Sequence, residues 1–285
     1  MGIQVTLEIT DADFNKKSSS LYELSILLRM DSLVYAVSDQ EGKILVLKQY
    51  KIASDIKDMP PRLSSFQTIF EKDALLKFLY RKCHIAFGNN LVALVPKRLF
   101  NPKRATTYLE ELSNIDTTSK VDFNEITKLK TMVVYEQDSA LQKFVKTAQP
   151  SSKIFHRTTP FLTGCTKKTI GSAQKIVFVN FRKSNFEVCF FDNGQLHFYN
   201  NFEFQSAADC LYYVLLVFEQ FNLDQNKAFL QLSGEILEDS EIHKSLYRYI
   251  RNITFTTLPD DIVLNSTFRS VPAHYFFNLF ALKLL

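Results

Sequence analysis

No apolar run in this sequence is long enough to cross a membrane as a helix. The longest, Cys210–Phe218, falls far short of the roughly 20 residues that a bilayer demands. Met1–Thr10 has neither the basic start nor the apolar stretch of a secretory signal. Cysteine is scarce, and Cys83, Cys165, Cys189 and Cys210 lack CxxC spacing. That excludes a disulfide framework and points to reduced thiols in a cytoplasmic protein. Charge of one sign is also missing: the formal net charge of +4 allows nucleic acid as a partner without arguing for it. There is no low-complexity tract. No Gly-x-Ser-x-Gly elbow, Walker loop or HExxH is present, so the common hydrolase and P-loop chemistries have no footing. The five histidines do not cluster with cysteines or carboxylates at ligand spacing, so no metal site is expected and no residue is assigned a catalytic role.

The chain does hold ample core: 46% of its 285 residues are hydrophobic, enough for one large or two medium domains. Lys175–Glu235 shows the organisation best. Ile176–Phe181, Phe186–Phe191 and Gln195–Phe204 are rich in Val and aromatics, as half-buried strands are. Arg182-Lys183-Ser184-Asn185 turns the chain between the first two. Asp192-Asn193-Gly194 turns it between the second and third, because Asn and Gly accept the positive φ of a tight hairpin. Ser206 stands at an N-cap position, and Ala207–Phe221 follows as a helix apolar nearly all round, expected to be buried. Lys227–Leu232 is a short strand ending at Ser233-Gly234.

A looser copy lies between Leu24 and Asn89. Gly2–Thr10 reads as a strand and Asp11–Ser20 as a polar connector. Tyr22–Arg29, Leu33–Ser38 and Ile44–Tyr50 form a strand triplet turned at Met30-Asp31-Ser32 and at Asp39–Lys43. Ile52–Ser64 intervenes, with Pro60-Pro61 blocking a helix. Ser65–Arg81 is the matching helix, and His84–Phe87 a strand ending at Gly88. Each half thus reads β-β-β-α-β and then a glycine, a period that indicates duplicated domains rather than a solenoid.

Between the copies, Leu91–Val95 continues as a strand closed by Pro96, Leu99–Leu112 is helical, and Asp116–Lys120 is a polar loop. Lys130–Glu136 is a strand, Asp138–Ala148 a helix with Asp138 at its cap, and Lys153–His156 a strand. Thr159–Ile170 leads across to the second half, with the boundary near Gly171-Ser172. The expected domains are therefore 1–171, with an inserted segment, and 172–285. Asp239–Ile250 is an amphipathic helix, Ile253–Thr257 a strand, and Ala273–Leu285 a terminal apolar helix led by Pro272.

A repeated βββαβ(α) unit resembles the actin-like ATPase superfamily of sugar kinases, Hsp70 chaperones and actin, with a ribonuclease H-like fold in each half. More narrowly the chain is similar to a Bacteroidota family known only as a domain of unknown function. The residues that carry this are LSILLRMDSLVYAVSDQEGKILVLKQY from Leu24, ALVPKRLF from Ala93, KIVFVNF from Lys175, LQLSGEI from Leu230 and VPAHYFFNLFAL from Val271. The resemblance implies an α/β, two-lobed fold with a mixed sheet in each half, β-β-β-α-β-α. It also implies a nucleotide cleft between halves, with phosphates at the first hairpin of each half and adenosine near a glycine pair after the second half's fourth strand. A pattern such as D-x-G-x-[ST] serves there, because its glycine lets backbone N–H groups approach the phosphates.

This sequence has Arg29-Met30-Asp31-Ser32-Leu33 and Arg182-Lys183-Ser184-Asn185-Phe186 at the two hairpins, with no glycine in either, and Ser233-Gly234-Glu235 at the adenosine position. The cleft candidates are accordingly Asp31, Ser32, Lys183, Ser184, Gly234 and Glu235. Each has a plainer account: the hairpin residues as solvated turns, and Gly88 and Gly234 as the means by which the chain turns after a buried strand. Asp192 and Asp209 are explained as a turn residue and an early helical residue, so they are not proposed as an acid/base pair. Basic pairs recur at Arg81-Lys82, Lys97-Arg98, Lys103-Arg104 and Lys167-Lys168, interspersed with acidic residues as on a solvated mixed-charge surface. The expectation is an actin-like protein with degenerate nucleotide loops and no cofactor beyond a vestigial ATP site, acting as a non-catalytic module that binds another protein. The alternatives are a nucleotide-dependent ATPase or kinase using the interlobe cleft, and an RNA-associated factor.

Overall fold

The computed structural model describes residues 2–53, 62–113 and 120–285. The Pro60-Pro61 block and most of the loop expected at Asp116–Lys120 lie outside the described residues. The first half supplies β1 (Ile3–Thr10), β2 (Glu23–Leu28), β3 (Ser32–Ser38), β4 (Ile44–Ile52), α1 (Arg62–Lys72) and β5 (Lys82–Phe87). An insertion follows: β6 (Val92–Pro96), α2 (Ala105–Glu110), β7 (Val121–Ile126) and β8 (Thr131–Glu136). The chain then returns through α3 (Ser139–Ala148), β9 (Lys153–His156) and α4 (Thr158–Thr169). The second half runs β10 (Lys175–Phe181), β11 (Asn185–Asp192), β12 (Gln195–Glu203), α5 (Ala207–Gln220), β13 (Phe229–Gly234), α6 (Glu241–Tyr247), β14 (Asn252–Phe255) and α7 (Phe277–Ala281).

Two sheets of the same design result. The first has the order β1-β4-β3-β2-β5-β9 and the second β12-β11-β10-β13-β14. With β1 set aside, both place two antiparallel hairpin partners on one side of the central strand and two parallel strands on the other. Gly42 and Gly194 close equivalent hairpins with φ of +94° and +73°, a conformation that an L side chain resists. Strands β2 and β3 are buried throughout because helices cover both faces of the sheet, which explains their continuous apolar runs. The insertion forms its own three-stranded sheet, β6-β8-β7.

The helices carry the departures from expectation. The Ser65–Arg81 helix stops at Lys72, because the Asp73 side chain accepts the Leu75 N–H and starts a 3-10 turn. Of Leu99–Leu112, only Ala105–Glu110 is α-helical; Asn101 caps a separate 3-10 turn that contains Pro102. Strand β7 lies outside the expected elements, since VDFNEI sustains no apolar face. Helix α5, apolar nearly all round, packs against the second sheet as expected through Cys210, Val214, Val217 and Phe218, and its other side leaves Tyr212 62% exposed. Its start at the Ser206 cap is as expected, and Asp209, read from the sequence only as an early helical residue, completes a capping box with it. The terminal segment is not one helix: a 3-10 turn, α7 and a second 3-10 turn succeed one another.

The crossing segment is α4, and it does not stay with its own half. Its Phe161, Leu162 and Cys165 pack on Phe178, Cys189 and Phe191 of the second sheet. Helix α7 does the reverse, setting Leu279 and Phe280 on Leu27, Val34 and Ala36 of the first sheet. The two helices cross at Gly164, where an added Cβ would lie 2.7 Å from the Phe277 ring. Opposite these faces, α1 and α3 cover the first sheet and α5 and α6 the second. No helix among the described residues is long and apolar enough to cross a membrane.

A charged junction as candidate functional site

The carboxyl ends of the central and parallel strands of both sheets meet at one junction. Arg29, just beyond β2, reaches across to Glu235, just beyond β13, with Nη1 and Oε1 2.5 Å apart. Arg157, after β9, donates to Asn90, after β5, and Asn90 contacts Asn201 at 3.3 Å and Glu203 at 3.4 Å on β12. Arg182, after β10, pairs with Glu187 of β11. Three guanidiniums from both halves thus stand beside the carboxylates of Asp31, Glu187 and Glu235, close enough to perturb one another.

Glu187 is the centre of this arrangement and has no exposed surface. Oε1 accepts from Thr158 Oγ1 at 2.5 Å and from Tyr199 at 2.9 Å; Oε2 accepts from Asn180 at 3.1 Å and from Arg182. Burial alone would raise its pKa. Arg182, Arg157 and the hydroxyl donors overcome that and hold it at about 2, so the carboxylate is ionised. Burial, reinforced by Arg182, lowers Arg157 to about 10, and Glu187 opposes the shift. His156 is buried beside them. Thr158 N–H donates to its Nδ1 at 3.3 Å and Nε2 faces the Asn89 carbonyl at 3.1 Å, which selects the neutral Nε2–H tautomer. Burial and the neighbouring Arg157 push it down to about 3.

The six candidates are divided by this geometry. Ser32 is buried and donates to Asp31 at 3.2 Å, inside the β2–β3 turn. Glu235 meets that turn through Arg29. Gly234 has φ of +80°, and an added Cβ would lie 2.0 Å from the Phe181 carbonyl oxygen, so it lets β13 close on β10. Gly88 is likewise filled against the His156 ring, at 2.1 Å. Lys183 and Ser184 are exposed at the tip of the β10–β11 turn, and their side chains join none of the described contacts. Cavities of about 690, 770 and 500 Å³ open on the molecule, and none of these three is lined by any of the six. Among the described residues no group of three or more His, Cys, Asp or Glu is placed to hold a metal ion.

Sequence reasoning missed Arg29, Arg157 and Glu187 as junction residues. Glu187 left one trace, a carboxylate in the middle of the apolar run Phe186–Phe191, where an unpaired charge is too costly to keep. Arg29 and Arg157 left none, because their partners are remote in sequence.

Comparison with known proteins agrees with this architecture. No curated protein matches the chain. A Bacteroides thetaiotaomicron protein of actin-like ATPase fold and unknown function superposes with a TM-score of 0.76 at 19% identity, over 85% of this chain and 93% of that one. A chain of the PilM–PilN type IV pilus biogenesis complex superposes at 0.68 and 10% identity, over 93% and 98%. The ethanolamine utilization protein EutJ of Carboxydothermus hydrogenoformans does so at 0.53 and 11%, over 97% and 92%. At these identities the likeness shows the fold, which is actin-like. A family model spans residues 11–253, and the chain belongs to that family, described as protein of unknown function (DUF3822).

Proposed function

We propose that this protein is a non-catalytic binding or scaffold module with a protein partner, in which the ancestral nucleotide position is closed by internal ion pairs. The observation that carries this reading is the Arg29–Glu235 pair, which joins the first hairpin of one half to the adenosine position of the other. A polyphosphate entering there would have to displace Glu235 and Glu187 from guanidiniums already engaged. Glycine-free hairpins leave a Cβ at every position of the two turns, where a glycine would let the backbone N–H groups approach its oxygens. The similar chain in the PilM–PilN complex is one member of a protein assembly, which favours the same class of role.

Thermal melting with and without ATP, ADP and Mg²⁺ tests the reading. A ligand at a hundred times its dissociation constant adds about 2.7 kcal/mol to stability. The expected result is an unchanged midpoint at millimolar nucleotide. A clear upward shift would overturn the proposal in favour of a nucleotide-dependent enzyme.

A further inference from the structure

At the opposite ends of the same strands a second cleft opens, of about 770 Å³. Glu23 and Lys82, at the amino ends of β2 and β5, and Lys153, at the amino end of β9, line it. Helix α4 presents Thr163, Thr166, Lys167 and its cap Ile170 at helical spacing, and the turn after β7 adds Lys128. Two of the basic pairs singled out in the sequence, Arg81-Lys82 and Lys167-Lys168, therefore send residues from different elements to one place.

The charges here are unevenly matched. Glu23 alone receives Arg81, Lys82 at 3.5 Å and Lys283 at 2.7 Å. Lys167 pairs with Asp261 at 2.9 Å, and Glu125 is engaged by Lys97. Lys128 and Lys153 are exposed and have no side-chain partner among the described residues; Glu41 is the other carboxylate on the lining. The cleft is not purely ionic. Ile170 is 59% exposed, and Phe155 and Leu285 join the lining. Thr163, on the cleft-facing stripe of α4, keeps its Oγ1 buried without a hydrogen-bond partner among the described residues.

We propose that this cleft docks an acidic segment of a protein partner. Its carboxylates pair with Lys128 and Lys153 as Glu23 pairs with the cations beside it, and an apolar side chain covers Ile170. The inference rests on the binding-module reading and names its surface. A carboxylate chain fits better than a nucleic acid. The Arg81 guanidinium is already engaged by Glu23, and Phe155 alone among the lining residues is aromatic, where stacking of successive bases calls for several rings.

The test is fluorescence anisotropy of the full chain with a labelled peptide of alternating glutamate and leucine at low salt. Binding is expected. It should weaken at least about tenfold when the peptide carries glutamine instead, or when the protein carries Lys128→Glu with Lys153→Glu. Ile170→Ser should weaken it in the same direction, with the melting curves of all variants unchanged. No binding, or equal binding to the charge-reversed protein, overturns the proposal. Tighter binding of polyuridylate than of the peptide overturns it as well, by assigning the surface to nucleic acid. Lys128 and Lys153 lie away from the Arg29–Glu235 junction, so a melting shift with nucleotide and a failure of peptide binding report on separate claims.

Discussion

Glu187 remains ionised without any exposed surface because five groups compensate it: two guanidiniums, two hydroxyls and the Asn180 amide. His156, in the same junction, has the opposite fate and stays neutral. Both groups contribute to the acid response. His156 titrates at about 3 when folded against an ordinary 6.5, so below about pH 6.5 the unfolded chain takes up a proton that the folded chain refuses, and stability falls. Burial lowers His84 and His274 as well, and they act in the same direction. Glu187 contributes stability that is fully present above its ordinary value of 4.5 and is lost as pH falls toward about 2. Urea midpoints are thus expected to drop already between about pH 7 and pH 5, before carboxylates titrate, and to drop further below about pH 4.5. A flat profile across the first interval would contradict a buried neutral His156.

At the scale of the element, glycines mark where strands and helices end, and the reasons differ. Gly171 has φ of +74° and nothing within 4 Å of a built Cβ, so Gly171→Ala carries backbone strain alone, about 1 kcal/mol. Gly234 adds to a similar φ a Cβ position 2.0 Å from a carbonyl oxygen that β10 cannot withdraw without losing its parallel pairing. Gly234→Ala is expected to cost on the order of 3 kcal/mol or more, measured by urea unfolding. Equal losses for the two variants would return Gly234 to the standing of an ordinary turn glycine. The ends of α1 and α5 teach the same lesson. Ser206 and Asp209 are three residues apart, so the α5 cap is written locally and was legible. Asp73 ends the first-half helix while accepting from the Tyr35 and Tyr50 hydroxyls of β3 and β4 at 2.8 and 2.6 Å, which local periodicity does not reveal.

Across the whole molecule, the exchange of α4 and α7 between sheets makes the halves interdependent. Gly164 sits at their crossing, and Gly164→Val places a branched side chain where Phe277 and Ala281 already pack. A loss of about 1–3 kcal/mol is expected, with the wild type unfolding in one calorimetric transition and the variant at a lower temperature. Two well-separated transitions in the wild type would show that the crossing does not couple the halves. By itself the sequence determined the strand triplets, their hairpins, the caps of α3 and α5 and the same strand–helix order in both halves. These depend on side-chain period and on turn residues within a few positions of one another. Tertiary structure alone decided that Arg29 meets Glu235, that Glu187 lies beside Thr158 and Arg157, and that Lys82, Lys128 and Lys153 share a cleft. Those meetings depend on how strands and helices far apart in the chain are paired and packed, and no local pattern encodes a partner two hundred residues away.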